Sequence, residues 1–446
     1  FERSGVVWHT QGSGKSLTMV FLIKKMRDTN DLKDYKVIMI NDRTDLEDQL
    51  SETATLTGES VTIIEHRRDL DKLKTTTSNL NMVMVHKFLA QNGVSAQSLI
   101  NSGVVPKFEE FKTINVSDRI LLLIDEAHRT QGGEMGDNLF TGFPNAVKVA
   151  FTGTPLITER HKHTTYQRFG DSIDTYKMNE SVADHATVDI LYIGRTSKDQ
   201  ILNQELFKQE FEDLFRERSD EERQEIQKRY GTMTAYLESK DRIKKIAQDI
   251  IEHYTQEILP NGMKAQVVAT SIVAACRYKY EIEEAIAAKI TTELAKPVVE
   301  RNEELLKQLR FLRVAAVVTM MDNNEPGYVS QARKQASDSN AVESFKKDFN
   351  YEKPETGMAI LCVCDRLLTG FDAPVEQGMY LDKNLREHDL MQAIARVNRT
   401  KVMKNGYIKK HGIVVDYFGV ASHLKDALAI YTKADEKELA DFSAYF

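Results

Sequence analysis

Two short stretches constrain this chain more than any global property does. Residues 9–16 read HTQGSGKS and residues 121–128 read LLLIDEAH. The first stretch follows a short apolar run (Val6, Val7, Trp8) and opens a segment of apolar periodicity (Leu17, Met19, Val20, Leu22, Ile23). Strand, glycine-containing turn and helix in that order predict a phosphate-binding loop in an α/β sheet. Gln11, Gly12, Ser13 and Gly14 would close backbone N–H groups on the phosphates. Lys15 would reach the β- and γ-phosphates, and the Ser16 hydroxyl would face Mg²⁺. The helix starting there adds its positive N-terminal end. His9 stands where the pattern G-x-x-x-x-G-K-[ST] carries its first glycine.

The second stretch has its own chemistry. Residues 120–124 are continuously apolar, as expected of a parallel strand covered on both faces. Asp125 and Glu126 then fall at its carboxyl end, the ligand edge of an open α/β sheet. Asp125 would hold Mg²⁺, directly or through water, and Glu126 would polarise the water that attacks the γ-phosphate. An isolated Asp-Glu pair is ordinarily a solvated turn; downstream of a GSGKS loop it points to triphosphate hydrolysis.

A length of 446 residues exceeds one ordinary core and predicts two or three domains. No apolar stretch approaches the roughly 18 residues that a membrane span needs, and no signal peptide is visible. The chain starts at Phe1 rather than Met, so upstream domains are expected. A net charge of −7 carries no global nucleic-acid signature, although a basic cleft can sit on an acidic protein. The three cysteines (Cys276, Cys362, Cys364) have no metal-ligand spacing and read as buried reduced thiols. That usage predicts the cytoplasm.

Strands are predicted at residues 6–8, 37–40, 81–85, 120–124 and 147–151, with a helix running to Arg27. This alternation argues for a parallel sheet wrapped by helices. Between residues 201 and 250 the character changes: 12 acidic and 10 basic residues interleave with spaced apolar ones. Such a segment predicts long solvated helices in an insertion or linker. Alternation returns with strands at 265–269, 314–319, 358–364, 377–381 and 412–415 and a helix at 274–289. Residues 323–339 are polar and contain Pro326 and Gly327, which predicts a loop.

Further stretches follow in a recognisable order: TGTP at 152–155, DRLLTGFDAP at 365–374 and QAIARVNR at 392–399. With the two stretches above, the chain resembles superfamily 2 helicases and translocases, most closely the motor subunit of type I restriction endonucleases. WHTQGSGKS, NDRTDLEDQL, LIDEAHRTQ, FTGTPL, LLTGFDAP and MQAIARVNRT all look like that subunit's phrases. One departure besides His9 is Ala395, where the wider pattern Q-x-x-G-R-x-x-R has glycine.

The resemblance implies an α/β fold of two tandem RecA-like parallel-sheet lobes, with ATP and Mg²⁺ bound in the cleft between them. It sets lobe 1 at residues 1–190, a charged helical linker at 191–260 and lobe 2 at 261–420. The start of a C-terminal helical region follows at 421–446. Gln392 would orient the attacking water or a finger. Arg396 and Arg399, three apart on a helix and so on one face, would neutralise charge on the transferring phosphoryl group. Asp372 would contact nucleotide. Arg43 and Thr44, in NDRTDLEDQL, would grip a phosphate of the tracking strand, and Thr369 and Gly370 would touch the nucleic-acid backbone. Thr152 and Thr154 would link the ATP site to the track.

The leading expectation is therefore an ATP-dependent translocase on double-stranded DNA. Its implied partners are specificity and methyltransferase subunits, and a nuclease domain would lie upstream of the motor. A DEAH-type helicase that separates DNA or RNA strands is the enzymatic alternative. An ATP-binding scaffold that never turns over is the non-enzymatic one, and Lys15, Asp125, Glu126, Arg396 and Arg399 together argue against it.

Overall fold

The structure, a computed structural model, describes residues 4–41, 61–64, 66–75, 79–84, 88, 112–127, 134–153, 155, 165–195, 236–321, 325–368 and 371–420. The chain divides into two compact units, residues 1–184 and 185–446. Each is built on one sheet, and every strand pair is parallel.

The first unit holds β1 (Gly5–His9), β2 (Lys36–Asn41), β3 (Val61–Ile64), β4 (Leu80–Met84), β5 (Ile120–Asp125), β6 (Val147–Thr152) and β7 (Ser172–Tyr176). Their order across the sheet is β3-β4-β2-β5-β6-β1-β7. Alternation along the strands feeds two separate cores. Val7, Val37, Met39, Leu121, Leu123 and Phe151 pack with Met19, Val20, Ile23 and Met26 of the helix Lys15–Arg27. Val6, Ile38, Ile40, Leu122, Ile124 and Ala150 point the other way, onto Phe88, Leu139 and Phe143. A strand covered on both faces has no polar side to display, which is why residues 120–124 read as one apolar run.

The second unit orders its strands β10-β11-β9-β12-β13-β8. These are β8 (Asp189–Gly194), β9 (Lys264–Ala269), β10 (Arg313–Val317), β11 (Met358–Val363), β12 (Glu376–Asp382) and β13 (His411–Asp416). The helix Ile272–Leu294 follows β9 and begins at Ser271, whose side chain accepts the Ala274 N–H. That cap satisfies one of the orphan donors of the first turn.

Three expectations are corrected here. The first lobe does not run to residue 190: β8 pairs along its whole length with β13, from Asp189↔His411 to Asp416↔Gly194. Residues 236–260 are not linker either. The helix Lys240–His253 buries Ile243, Ala247, Ile250 and Ile251 in the second unit, and Arg242 forms a buried double hydrogen bond to Asp382 at 2.5 and 2.6 Å. Its charge count hid a narrow apolar stripe at helical spacing. Finally, residues 327–338 form a helix rather than a loop. Pro326 sits at its N-cap, and Val329, Ala332 and Ala336 are buried; small alanines on one face leave the segment polar by composition yet packed.

β3, β7 and β8 were not expected from sequence; β7 and β8 are short, part-exposed edge strands, and β7 has no continuous apolar run. All three cysteines are free and buried, and burial pushes the thiols of Cys276 and Cys364 up to about 11. Among the described residues, no helix is long and apolar enough to cross a membrane.

Candidate nucleotide site

In the first sheet β6 lies between β5 and β1. Because all three run parallel, the phosphate loop, the Asp125–Glu126 pair and the Thr152–Gly153 turn leave the sheet at one edge. Register puts Trp8 beside Thr152 and Asp125 beside Phe151. Gly12 and Gly14 take φ of 92° and 93°, left-handed values that a Cβ would disfavour. They turn the chain tightly into the helix Lys15–Arg27, for which Gly14 is the N-cap. Ser13 Oγ donates to the Thr10 carbonyl at 2.7 Å and closes the turn.

His9 proves structural. It is the last residue of β1, is buried, and its Nε2 lies 2.6 Å from Asp174 Oδ2 on β7. The Tyr176 ring meets it edge-on at 5.8 Å. A side chain can therefore occupy the position of the pattern's first glycine because it turns toward the sheet edge.

Lys15 is buried, and its Nζ donates to the His9 carbonyl at 3.3 Å while lying 4.0 Å from Glu126 Oε1. Glu126 itself has φ 45°. A non-glycine residue in that region costs about 1–3 kcal/mol, and such strain gathers at functional sites. The Glu126 N–H donates to Asp125 Oδ1 at 3.0 Å, which offsets part of the cost. The left-handed turn ends the strand's alternation, so the carboxylates of neighbouring residues serve the same edge.

The TGTP turn packs directly on the phosphate loop. Trp8 Nε1 donates to the Gly153 carbonyl at 3.3 Å. A Cβ placed on Gly153 would stand 2.6 Å from Gln11 Cγ, 3.0 Å from Gln11 N and 3.2 Å from Lys15 Nζ. Gly153→Ala is accordingly expected to raise the KM for ATP about tenfold or more, since misplacing a phosphate-binding group by even about 1 Å is costly. Its thermal unfolding midpoint should stay close to wild type. A KM unchanged in steady-state phosphate release would show that the contact does not shape the loop.

The residues at hand suit Mg²⁺ as far as the donor set goes: a serine hydroxyl opening the helix and an aspartate at the end of β5 are hard oxygen ligands. Among the described residues no group of three or more His, Cys, Asp or Glu side chains gathers to hold a metal. Mg²⁺ at nucleotides usually completes its coordination with phosphate oxygens and water.

In the second unit the helix Glu387–Ile394 carries Gln392, which is buried. It ends before the arginines, so they do not share a helical face as expected. Arg396 sits in the turn that follows, its N–H bonded to the Ala393 carbonyl at 3.0 Å. Arg399 forms an antiparallel bridge to Thr187, beside a bond from Val188 N to the Asn398 carbonyl at 2.8 Å. The lead-in to β8 takes backbone groups that a longer helix would need. The two guanidinium groups consequently have different surroundings. Arg396 is buried and donates to the Phe371 and Gln392 carbonyls. Arg399 is part-exposed, with its Nε 3.3 Å from Asp372 Oδ1.

Thus Gln11, Gly12, Ser13, Gly14, Lys15, Ser16, Asp125, Glu126 and Thr152 meet at one edge of the first sheet, and Asp372, Gln392, Arg396 and Arg399 lie together in the second unit. Arg43, Thr44, Thr154, Thr369 and Gly370 lie outside the described residues, as do residues 201–235 and 421–446. Sequence reasoning missed Trp8, Gly153 and Phe371; the bonds of the first and third run through carbonyl groups, which carry no residue signature.

A fold of two parallel-sheet units with a phosphate loop facing an Asp-Glu strand end defines a RecA-like, helicase-type ATPase. The chain belongs to the SWI2/SNF2 ATPases, whose family model matches residues 1–224. The model of type I restriction enzyme subunit R domain 3 matches residues 261–418. Homologues along nearly the whole chain are type I restriction enzyme endonuclease subunits. The HindI endonuclease subunit of Haemophilus influenzae is 29% identical over 451 residues, covering 98% of this chain and 39% of that protein. A Methanocaldococcus jannaschii protein assigned as the MjaIXP endonuclease subunit is 29% identical over 440 residues, covering 98% of this chain and 37% of its own length. The chain thus spans about two fifths of the length of these relatives. Among solved structures, a fragment assigned as the HsdR subunit of a type I restriction enzyme from Vibrio vulnificus superposes with a TM-score of 0.58. It is 16% identical and covers 98% of this chain and 64% of its own. The DNA-bound type ISP restriction-modification enzyme LlaBIII gives a TM-score of 0.52 at 12% identity, covering 96% of this chain and 28% of its own.

Proposed function

We propose that this chain is the motor of a type I restriction endonuclease subunit, converting ATP hydrolysis into movement along double-stranded DNA. The observation that carries the reading is the convergence of Lys15, Asp125, Glu126 and the Thr152–Gly153 turn at adjacent carboxyl ends of β1, β5 and β6. In this reading Lys15 and the N–H groups of residues 11–16 bind and orient the triphosphate. Glu126 takes up proton density from the attacking water, and Arg399 neutralises charge that develops on the transferring phosphoryl group. Asp372 holds Arg399, Gln392 helps to orient it, and Arg396 fixes the loop that carries Asp372. Mg²⁺, held by Ser16 and Asp125, would shield the phosphate oxygens and ease departure of the diphosphate.

Arg43, Thr44, Thr369 and Gly370 are assigned to the DNA backbone, and Thr152 and Thr154 to communication between backbone and ATP site. The relatives' names support restriction-system partners, and we assign specificity and methyltransferase subunits to this motor, with a nuclease domain elsewhere in the full-length protein.

Contacts to phosphates carry no base identity. ATP turnover should therefore rise with duplex DNA of any sequence, depend on its length, and weaken steeply with salt as neutralised phosphates release counterions. Arg43→Ala should flatten the log–log salt slope by about one unit while sparing basal turnover. Equal stimulation by single-stranded RNA and duplex DNA would favour the strand-separating helicase instead. Triplex displacement distinguishes the two, since a duplex translocase strips a third strand without opening the duplex.

A further inference from the structure

The loop carrying Asp372 is held along almost its whole backbone. The Phe371 carbonyl accepts from Arg396. The Ala373 carbonyl accepts from Glu376 N at 2.8 Å, and the Val375 carbonyl from Lys264 N at 3.0 Å. Two more, those of Pro374 and Glu376, accept from one side chain that belongs to none of the motifs: Lys409 Nζ. Lys409 is buried, 2% exposed. Its backbone is set by a short antiparallel turn, with Lys409 N bonded to the Lys401 carbonyl at 2.9 Å and Met403 N to the Tyr407 carbonyl at 2.8 Å. A bridge pairs Val402 with Ile408 across the same turn.

Beside this ammonium lies the Glu376 carboxyl group, fully buried, with neither oxygen hydrogen-bonded among the described residues. The charged groups acting on it are Lys409 and Arg396, the two cations that clamp the loop. An uncompensated buried carboxylate is strongly destabilising, and two flanking cations offset it. Burial raises the Glu376 carboxyl and lowers the Lys409 ammonium, and each shift is opposed by the other group's charge.

We propose that Lys409, charge-balanced by Glu376, is a positioning residue for ATP hydrolysis: by holding the Pro374 and Glu376 carbonyls it fixes Asp372 against Arg399. The role rests on the reading of Arg399 given above. Asp372, exposed, and Arg399, part-exposed, meet at 3.3 Å, so that pair gains little rigidity from burial. Its geometry depends on how firmly the loop backbone is held. Arg396 secures the start of the loop, and Lys409 secures its end.

The test must separate a held loop from simple charge balance. Lys409→Met keeps the aliphatic stem, removes the donor and strands the Glu376 carboxyl, so its unfolding midpoint should fall. Lys409→Met combined with Glu376→Gln removes both charges and should recover the midpoint. ATP turnover by that double variant should nevertheless stay about 10- to 100-fold low, at a KM for ATP within about threefold of wild type, because a misplaced charge-stabilising group costs rate before affinity. Lys409→Arg, which retains donors, should recover most of the turnover if it folds. Recovery of turnover together with the midpoint in the double variant would overturn the inference and leave Lys409 as a structural counter-charge. If Lys409→Met cannot be purified, the double variant alone decides. If neither folds, Lys409→Arg decides: turnover as low as the predicted 10- to 100-fold loss, with a wild-type midpoint, would overturn it. Arg399→Ala serves as the control: wild-type turnover in that variant removes the underlying reading, whereas a dead Arg399→Ala beside a fully active double variant removes only this inference.

Discussion

Glu126→Gln should bind ATP about as well as wild type and hydrolyse it about 10²- to 10⁴-fold more slowly. The amide keeps the shape of the carboxylate but cannot draw a proton from water, and positioned general bases contribute rate in that range. The backbone argues for the same assignment. Glu126 is held at φ 45°, a conformation whose cost is hard to explain for a residue that merely ends a strand. Its carboxylate lies 4.0 Å from Lys15 Nζ, so the substitution also removes a negative charge beside the lysine proposed to bind the phosphates. ATP affinity should therefore hold or tighten slightly. Fluorescent-nucleotide binding and steady-state phosphate release measure the two quantities separately. Wild-type turnover in this variant would remove Glu126 from the chemistry.

Arg399→Ala should lower turnover by about 10³- to 10⁵-fold with only a modest loss of ATP affinity, the signature of a group that acts on transition-state charge. The structure sharpens this beyond what the motif alone allows. Arg399 is part-exposed and pairs with the exposed Asp372, and such surface pairs are worth about 0–1 kcal/mol of stability. Its loss should leave the unfolding midpoint almost unchanged. Arg396→Ala should behave differently. Its buried guanidinium donates to two carbonyls, and hydrogen bonds to charged groups contribute about 1.5–3 kcal/mol. That variant should lose stability together with turnover. If instead Arg399→Ala melted early and Arg396→Ala did not, the two roles would have to be exchanged.

Much of the fold was legible because buried parallel strands must be apolar on both faces. Residues 37–40, 120–124, 147–151, 265–269 and 358–364 announce themselves, and the structure places strands at each. The edge strand β7 did not, since a strand with a solvated face and one neighbour needs no such run. The helix Gly327–Asp338 was hidden by its alanines, and the helix Lys240–His253 by its charges.

For the candidate site, the sequence by itself named the groups proposed to take part: Lys15, Asp125, Glu126 and Arg399 have side chains whose chemistry few other residues can replace, so their identity and order are visible in one dimension. Tertiary structure alone decided what each is held by. That Gly153 must lack a side chain follows from the nearness of Gln11. That Arg396 and Arg399 part company follows from the bridge between Thr187 and Arg399. That Lys409 clamps the Asp372 loop follows from bonds to carbonyl groups. Every residue offers the same backbone carbonyl, so a contact that ends on one leaves no mark in the sequence until the chain is folded.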